Sequence, residues 1–172
     1  MCTGNRFRSP LAAALLERET NGLPVRIASL GTLDLGSRPA LPEAVEISRE
    51  LGLDLSEHRA RGLAHVDLTR ADLVLGFEES HVKASVVESG AAKDVSFTLP
   101  ELVELLSRIP GPPLPNDPVE RARVRIRQAN AIRGRSAVPE LGDPLGLTVA
   151  DQRGIALELE RLVSRLTDRL FR

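Results

Sequence analysis

The chain holds one cysteine, Cys2, and five residues separate it from Arg8 in the run Cys2-Thr3-Gly4-Asn5-Arg6-Phe7-Arg8, with Ser9-Pro10 following. Gly4 and Asn5 are residue types that tolerate left-handed backbone angles, so this loop can curl and turn successive N–H groups inward as a nest for a tetrahedral oxyanion. Ser9 as a cap and Pro10 in the first turn predict a helix start, which adds its own N–H groups and a positive dipole end. Arg8, at the rim, carries a planar fork able to take two oxygens of a phosphate at once. Donors around the sulfur favour thiolate over thiol, which gives a nucleophile beneath a bound phosphoryl group. Attack on phosphorus must expel an alkoxide or phenoxide, so a general acid is needed opposite, and the same group can later activate water. Two Asp-Pro pairs are available, Asp117-Pro118 within a proline-rich stretch and Asp143-Pro144 just before a long apolar-striped helix. A turn anchored by a core-packing helix holds a carboxylate in a fixed place, so Asp143 is the expected acid. Asp-Pro also favours simple turns, which is the competing reading of both pairs.

The elements that must position these residues alternate between helix and strand. Leu11, Ala12, Leu15 and Leu16 form the apolar stripe of the first helix, which should end near Asn21-Gly22. "PVRIASLGT" reads as a short strand stopped by Gly31, and "PEAVEISRELG" as an amphipathic helix closed by Gly52. "ADLVLGF" is the near-continuous apolar run of a doubly covered parallel strand, with Asp72 at its entrance; "EESHVKASVVES" follows as a helix and "KDVSFTL" as the next strand. "PELVELLSRI" is helical, then come the breaker "PGPPLPNDP" and the basic helical stretch "VERARVRIRQANAIRGR". Ile155, Leu159, Leu162, Val163, Leu166 and Leu170 stripe the closing helix. Strands alternating with helices argue for an α/β three-layer fold around a mostly parallel sheet. Anion loops of this kind run from a strand into a helix, yet only Met1 precedes Cys2; the expectation is that the first strand is missing, that the chain folds poorly or is inactive, and that about 8 to 10 upstream residues rescue it.

At 172 residues the chain suits a single domain spanning 1–172. A net charge of -1 gives no global field for nucleic acid or an anionic membrane, so neither is an expected partner, and any anion site must be local. The basic run Arg121 to Arg135 is read as a solvated helix face rather than a nucleic-acid patch. One cysteine and three scattered histidines exclude an internal disulfide and offer no metal-ligand spacing. No export-signal pattern opens the chain and no apolar run would span a bilayer, which predicts a cytoplasmic protein. With no Tyr or Trp and only four Phe, the core must be aliphatic.

"CTGNRFRS" at residues 2–9 together with "GDPLG" near the end resembles the low-molecular-weight protein tyrosine phosphatase family, whose signature is Cys-x5-Arg-Ser early and Asp-Pro late. "ASLGTLDLGSRP", "SRELGLDLSEHRARGL" and "ADLVLGFEES" are similar, in order and spacing, to the family's second strand and following loop, its His-containing segment and its third strand. The resemblance leaves residues at about 110–140 unmatched, as an insertion. It implies a four-stranded parallel sheet with helices on both faces, hydrolysis of phosphoric monoesters through a phosphocysteine, and no metal or other cofactor. By resemblance Cys2 is the nucleophile, Arg8 the phosphate clamp and Asp143 the general acid, and the backbone of Thr3, Gly4, Asn5, Arg6, Phe7 and Arg8 is the phosphate cradle. Asn5, Ser9, Ser29 and His58 fall where the family keeps a hydrogen-bond network that holds the loop; the resemblance gives His58 no proton transfer. The implied substrate is a phosphorylated protein, on tyrosine, or a small phosphomonoester. Arsenate reductase shares fold and loop, but one cysteine leaves only a route through an external thiol. A degenerate phosphate-binding scaffold is the third reading. Phe7 stands where many members carry a second loop cysteine, so the protective disulfide cannot form and peroxide should inactivate unguarded. Leu33 or Leu35, and Leu145 with Gly146, replace the aromatic wall that flanks phosphotyrosine, which loosens selectivity for tyrosine.

Overall fold

A computed structural model describes residues 1–64, 66–110, 115–134 and 138–172. Part of the breaker segment and the end of the basic run lie outside the described residues. The α/β class follows from two short parallel strands, β1 (Val74–Gly76) and β2 (Ser96–Thr98), which pair in register Val74 to Ser96 and Gly76 to Thr98. Both are largely buried, β1 as an apolar run and β2 with Phe97 between Ser96 and Thr98. The sheet is extended by single parallel bridges, Cys2 to Gly31 and Gly31 to Gly62, rather than by further continuous ladder. The run read as a strand at 24–32 is accordingly extended chain that joins the sheet only at its end.

The helices are α1 (Arg8–Glu19), α2 (Pro42–Glu50), α3 (Glu79–Ser89), α4 (Leu99–Arg108), α5 (Pro118–Ala131) and α6 (Val149–Phe171). Their starts obey capping chemistry. Thr98 accepts from Glu101 N while the Glu101 side chain returns to Thr98 N, a reciprocal box that opens α4. Asp117 accepts from Glu120 N at 2.8 Å with Pro118 in the first turn of α5, and Thr148 accepts from Asp151 N at the head of α6. The first helix departs from expectation: it begins at Arg8 with Phe7 at the boundary and no side-chain cap, so Ser9 lies inside it. Its hydroxyl is needed elsewhere, as described below.

Helix α6 is the hub of the helical layer and touches α1, α2, α4 and α5, while α3 packs on both strands. Leu102, Leu106, Leu159 and Leu166 are buried at the centre of this packing. Each contributes about 1.5 to 3 kcal/mol relative to exposure. Helix α5 occupies the segment expected as an insertion and buries Ala122, Ile126 and Ala129 in the same core. The helix face is not uniformly solvated, against the reading of Arg121 to Arg135 as a solvated face. Arg125 is buried and donates to Pro110 O, Arg121 donates to the carbonyls of Phe171 and Arg172, and just beyond the helix Arg133 pairs with Glu101.

A groove of about 570 Å³ runs between residues 24–30 and 68–75, lined by Ala12, Leu16, Ile27, Leu73, Ile126 and Leu166 among others. Along it the backbone of residues 26–29 makes no backbone hydrogen bond to any described residue. At its carboxyl end the Met1 amine donates to Leu75 O, and Cys2 N donates to Leu30 O at 3.2 Å. The phosphate-loop candidate therefore begins inside the sheet layer and emerges directly into α1.

Candidate active site

The backbone of residues 2–8 divides its polar groups into two sets. The carbonyls face outward and are satisfied: Cys2 O accepts from Thr32 N, Thr3 O from Leu33 N, Arg6 O from Leu41 N and Phe7 O from Leu11 N. Asn5 O accepts from His58 Nε2 at 2.7 Å. The N–H groups of Thr3, Gly4, Arg6, Phe7 and Arg8, in contrast, find no acceptor among the described residues, and Asn5 N points to Cys2 Sγ at 3.2 Å. Buried donors without partners are rare in folded chains. A run of them curled around one sulfur is a ready seat for an anion. Asn5 makes the curl possible at φ 52°, the one left-handed residue other than glycine among the described residues. Gly31 lets the loop approach its neighbour, because a Cβ there would lie 2.8 Å from Thr3 O.

Asn5 is fully buried and acts as the keystone of the loop. Its Nδ2 donates to Ser9 Oγ at 2.8 Å and to Ser29 Oγ at 2.9 Å, and its Oδ1 accepts from Arg61 N at 2.9 Å. Ser9 Oγ sits 3.0 Å from Cys2 Sγ and 3.3 Å from Leu30 O. Asn5, Ser9, Ser29 and His58, expected as the network behind the loop, are thus brought together around it. Since the Ser9 hydroxyl serves the sulfur and Asn5, it is not free to cap the helix.

Arg8 lies elsewhere than the rim. Its side chain is 2% exposed and its guanidinium is held by Glu78 Oε1 at 2.7 Å, Leu141 O at 2.8 Å and Asp143 Oδ2 at 3.1 Å, with the Phe77 ring 5.6 Å away. A buried guanidinium needs such anionic and carbonyl partners to offset its desolvation. Burial is the largest single influence on the Glu78 carboxylate and works against it, but the hydrogen bonds from Arg8 and Ser80 and the electrostatic pull of His81 and Arg8 together outweigh it and hold that carboxyl below its ordinary range. Asp143 is half exposed and also accepts from Leu145 N at 3.1 Å, so the Asp-Pro turn aims one oxygen at Arg8 and leaves the group reachable from solvent. Asp117, the rejected alternative, is consumed as the cap of α5.

The remaining cradle residues differ in what their side chains do. Phe7 is buried in the hydrophobic core. Arg6 Nε donates to Pro39 O at 2.8 Å and lines a shallow depression with Asp34, Leu35 and Arg38. Leu35 lies over Gly4, where an added Cβ would come within 3.2 Å of its Cδ1. Leu33, Leu35 and Leu145 all remain exposed on the loops beside the cradle.

Sequence reasoning missed Glu78, His81 and Leu141. His81 is buried, its Nε2 is 3.1 Å from Thr3 Oγ1, and its Nδ1 faces the N–H groups of Phe77 and Glu78. The available signal was the spacing Glu78-x-x-His81 at a helix start, a reciprocal capping pattern like Thr98-x-x-Glu101. Among the described residues no group of His, Cys, Asp and Glu could hold a metal ion. No helix of the described residues is long and apolar enough to cross a membrane.

A family model for "Low molecular weight phosphotyrosine protein phosphatase" matches residues 1–107. The chain is 45% identical over 75 residues to the probable low molecular weight protein-tyrosine-phosphatase EpsP of Ralstonia nicotianae, a match covering 44% of this chain and 50% of that protein. It thus spans half the length of that relative. It is 29% identical over 171 residues to the protein-arginine-phosphatase of Geobacillus stearothermophilus, covering 99% of this chain and 93% of the relative. The solved low molecular weight protein tyrosine phosphatase of T. tengcongensis superposes with a TM-score of 0.72 at 29% identity, over 98% of this chain and 95% of that one.

Proposed function

The chain belongs to the low molecular weight phosphotyrosine protein phosphatase family, and on that footing we propose that it is a protein phosphatase working through a phosphocysteine on Cys2. The observation that carries the reading is the run of N–H groups in the loop that find no acceptor among the described residues, with Asn5 N at Cys2 Sγ and the carbonyls of Cys2, Thr3, Asn5, Arg6 and Phe7 tied to neighbours. A phosphoryl group seated there receives three to five N–H bonds and the fork of Arg8, so its negative charge is matched before reaction and more strongly as the equatorial oxygens gain charge. The sulfur lies beneath, with Asn5 N 3.2 Å and Ser9 Oγ 3.0 Å away.

The reaction then runs in two balanced steps. Cys2 Sγ forms a bond to phosphorus while the bond from phosphorus to the leaving atom breaks, and Asp143 gives that atom a proton. Asp143 next takes a proton from water as the water oxygen attacks phosphorus, the P–S bond breaks, and Cys2 returns as thiolate with inorganic phosphate released. Bound phosphate competes with Asp143 Oδ2 for the same Arg8 guanidinium, which frees the carboxyl for the leaving group. Thr3 to Arg8 cradle the phosphate through their backbone; Asn5, Ser9, Ser29 and His58 keep the loop in shape. The chain needs no metal or other cofactor for these steps, and the reading carries with it the expectation of a cytoplasmic enzyme. Arsenate reduction is not favoured, as the relatives are named phosphatases and no second cysteine is present.

The substrate class is a phosphorylated protein, with phosphotyrosine the first reading. A second reading, phosphoarginine, has a specific support: exposed leucines rather than aromatic side chains flank the cradle, and the relative that aligns over nearly the whole chain is named a protein-arginine-phosphatase. Turnover of p-nitrophenyl phosphate, a phosphotyrosine peptide and a phosphoarginine peptide by wild type, Cys2→Ser and Asp143→Ala tests both readings. The expected result is ester hydrolysis lost in Cys2→Ser and reduced in Asp143→Ala. Tight phosphate binding without turnover of any of the three substrates would leave the scaffold reading instead.

A further inference from the structure

We propose that His81 is a positioning residue of the phosphate loop, holding Thr3 through a single imidazole tautomer and so fixing the half of the cradle nearest Cys2. The inference rests on the reading of residues 2–8 as that cradle. Its starting point is the turn from β1 into α3, Gly76-Phe77-Glu78-Glu79-Ser80-His81. Gly76 allows the helix start to come close, since a Cβ there would lie 3.0 Å from His81 Cβ. The ring is thereby pressed against the beginning of the loop.

The hydrogen bonds leave no choice of tautomer. Nδ1 lies 3.2 Å from Glu78 N and 3.4 Å from Phe77 N, both obligatory donors, so Nδ1 must accept and the proton sits on Nε2. Nε2–H then donates to Thr3 Oγ1 at 3.1 Å. On its other side Thr3 is gripped through its carbonyl by Leu33 N at 2.9 Å. The first half of the loop is consequently held at two points by a histidine Nε2–H: His58 at Asn5 O and His81 at Thr3 Oγ1. Only Gly4, which has no side chain to anchor, lies between the two attachment points.

A doubly protonated ring would turn an N–H toward two backbone N–H groups, so the attachment requires neutral His81. The charged groups that face it are Glu78 at the head of its own helix, Arg8 from α1, the Met1 amine from the sheet, and Asp143 from the loop before α6. Burial is the largest influence and pushes the imidazole below its ordinary pKa; Glu78 and Asp143 oppose it, while Arg8 and the Met1 amine add to it. The ring therefore stays neutral across the neutral pH range.

The test is a double-mutant cycle of His81→Asn and Thr3→Val. Asparagine keeps an acceptor for the Phe77 and Glu78 N–H groups but cannot reach Thr3, and valine removes the hydroxyl while keeping the side-chain shape. The inhibition constant of inorganic phosphate and the separate kcat and KM for p-nitrophenyl phosphate are read together with the melting temperature. Each single variant is expected to weaken phosphate roughly five- to tenfold, with kcat less affected than KM, and the double variant to be no weaker than either single. The ¹⁵N shifts of the wild-type imidazole are expected to report the Nε2–H tautomer, independently of activity. Losses that multiply in the double variant, an Nδ1–H tautomer, or a lowered melting temperature with unchanged phosphate constants would each overturn the proposal. Wild-type protein that neither binds phosphate nor turns over substrate would overturn it together with the phosphatase reading, and an Nε2–H shift in that protein would show that the function, not the hydrogen bond, had been misread.

Discussion

Two backbone environments meet at Cys2, and they treat their polar groups in opposite ways. From Thr3 to Arg8 every carbonyl but that of Gly4 and Arg8's own helical one is tied to a named neighbour, while the N–H groups, Asn5 N at the sulfur apart, find no acceptor among the described residues. Along the groove at residues 24–30 the backbone of 26–29 makes no backbone hydrogen bond to any described residue on either count, and the walls are mainly apolar. Unpaired donors alone make an anion seat. Unpaired donors and acceptors together, beside aliphatic side chains, make only an open sheet edge. The difference teaches that the functional content of the loop lies in its selectivity, one kind of polar group satisfied and the other withheld.

The sharpest way to break the comparison is at the sulfur itself. Cys2→Ser is expected to lower p-nitrophenyl phosphate turnover by about 10⁴-fold or more while phosphate still binds, because the donors stay in place and only the nucleophile is lost. Asp143→Ala should cost roughly 10²- to 10⁴-fold with a peptide substrate whose leaving group needs a proton, and less with p-nitrophenyl phosphate. Rate measurements with leaving groups of graded acidity check this. An equal loss for all leaving groups would remove Asp143 from the acid role. Asn5→Ala removes the bonds to Ser9, Ser29 and the Arg61 amide and puts alanine at φ 52°, so denaturant unfolding should show a loss of about 2 to 4 kcal/mol.

The groove side makes a smaller prediction of a different kind. Burial lowers the Met1 amine from 8.0 to about 6, with Arg8 adding to the effect and Cys2 opposing it. A cation whose folded pKa is depressed binds fewer protons folded than unfolded between those two values. Stability of a chain beginning at Met1 should therefore be lowest below about pH 6 and rise by roughly 2 to 3 kcal/mol as pH passes from about 6 to 8. Urea unfolding across that interval measures it, and a flat profile would mean the amine is solvated. Smallest is Asp117→Ala, which removes the cap of α5 and should cost about 1 kcal/mol of stability with turnover unchanged. That contrast separates the two Asp-Pro pairs experimentally.

The parts of the site legible in the sequence were those written in local residue chemistry. Asn5 was readable because few side chains tolerate a left-handed backbone, and Asp143 because an Asp-Pro turn precedes a strongly striped helix. The helices of apolar periodicity, α2, α4 and α6, were equally plain. Arg8 was misplaced at the rim because nothing local announces its burial; its partners Glu78 and Leu141 lie 70 and 133 residues away. Ser9 was assigned to the helix cap since serine before a proline commonly serves there, whereas the sulfur and Asn5 claim its hydroxyl first. The composition of 24–32 predicts a strand, but a strand also needs partners along its length, and the described chain supplies them only at Leu30, Gly31 and Thr32, from Cys2, Arg61 and Leu63. His81 escaped notice because a polar helix start such as Glu-Glu-Ser-His is usually solvated.

The central claim, that Cys2 takes up the phosphoryl group, is tested most directly by mass spectrometry of Asp143→Asn quenched in acid during turnover of p-nitrophenyl phosphate. The account predicts a phosphoryl group on the peptide carrying Cys2 and none on that peptide in Cys2→Ser. Phosphorylation at any other residue, or turnover that survives Cys2→Ser undiminished, would contradict it.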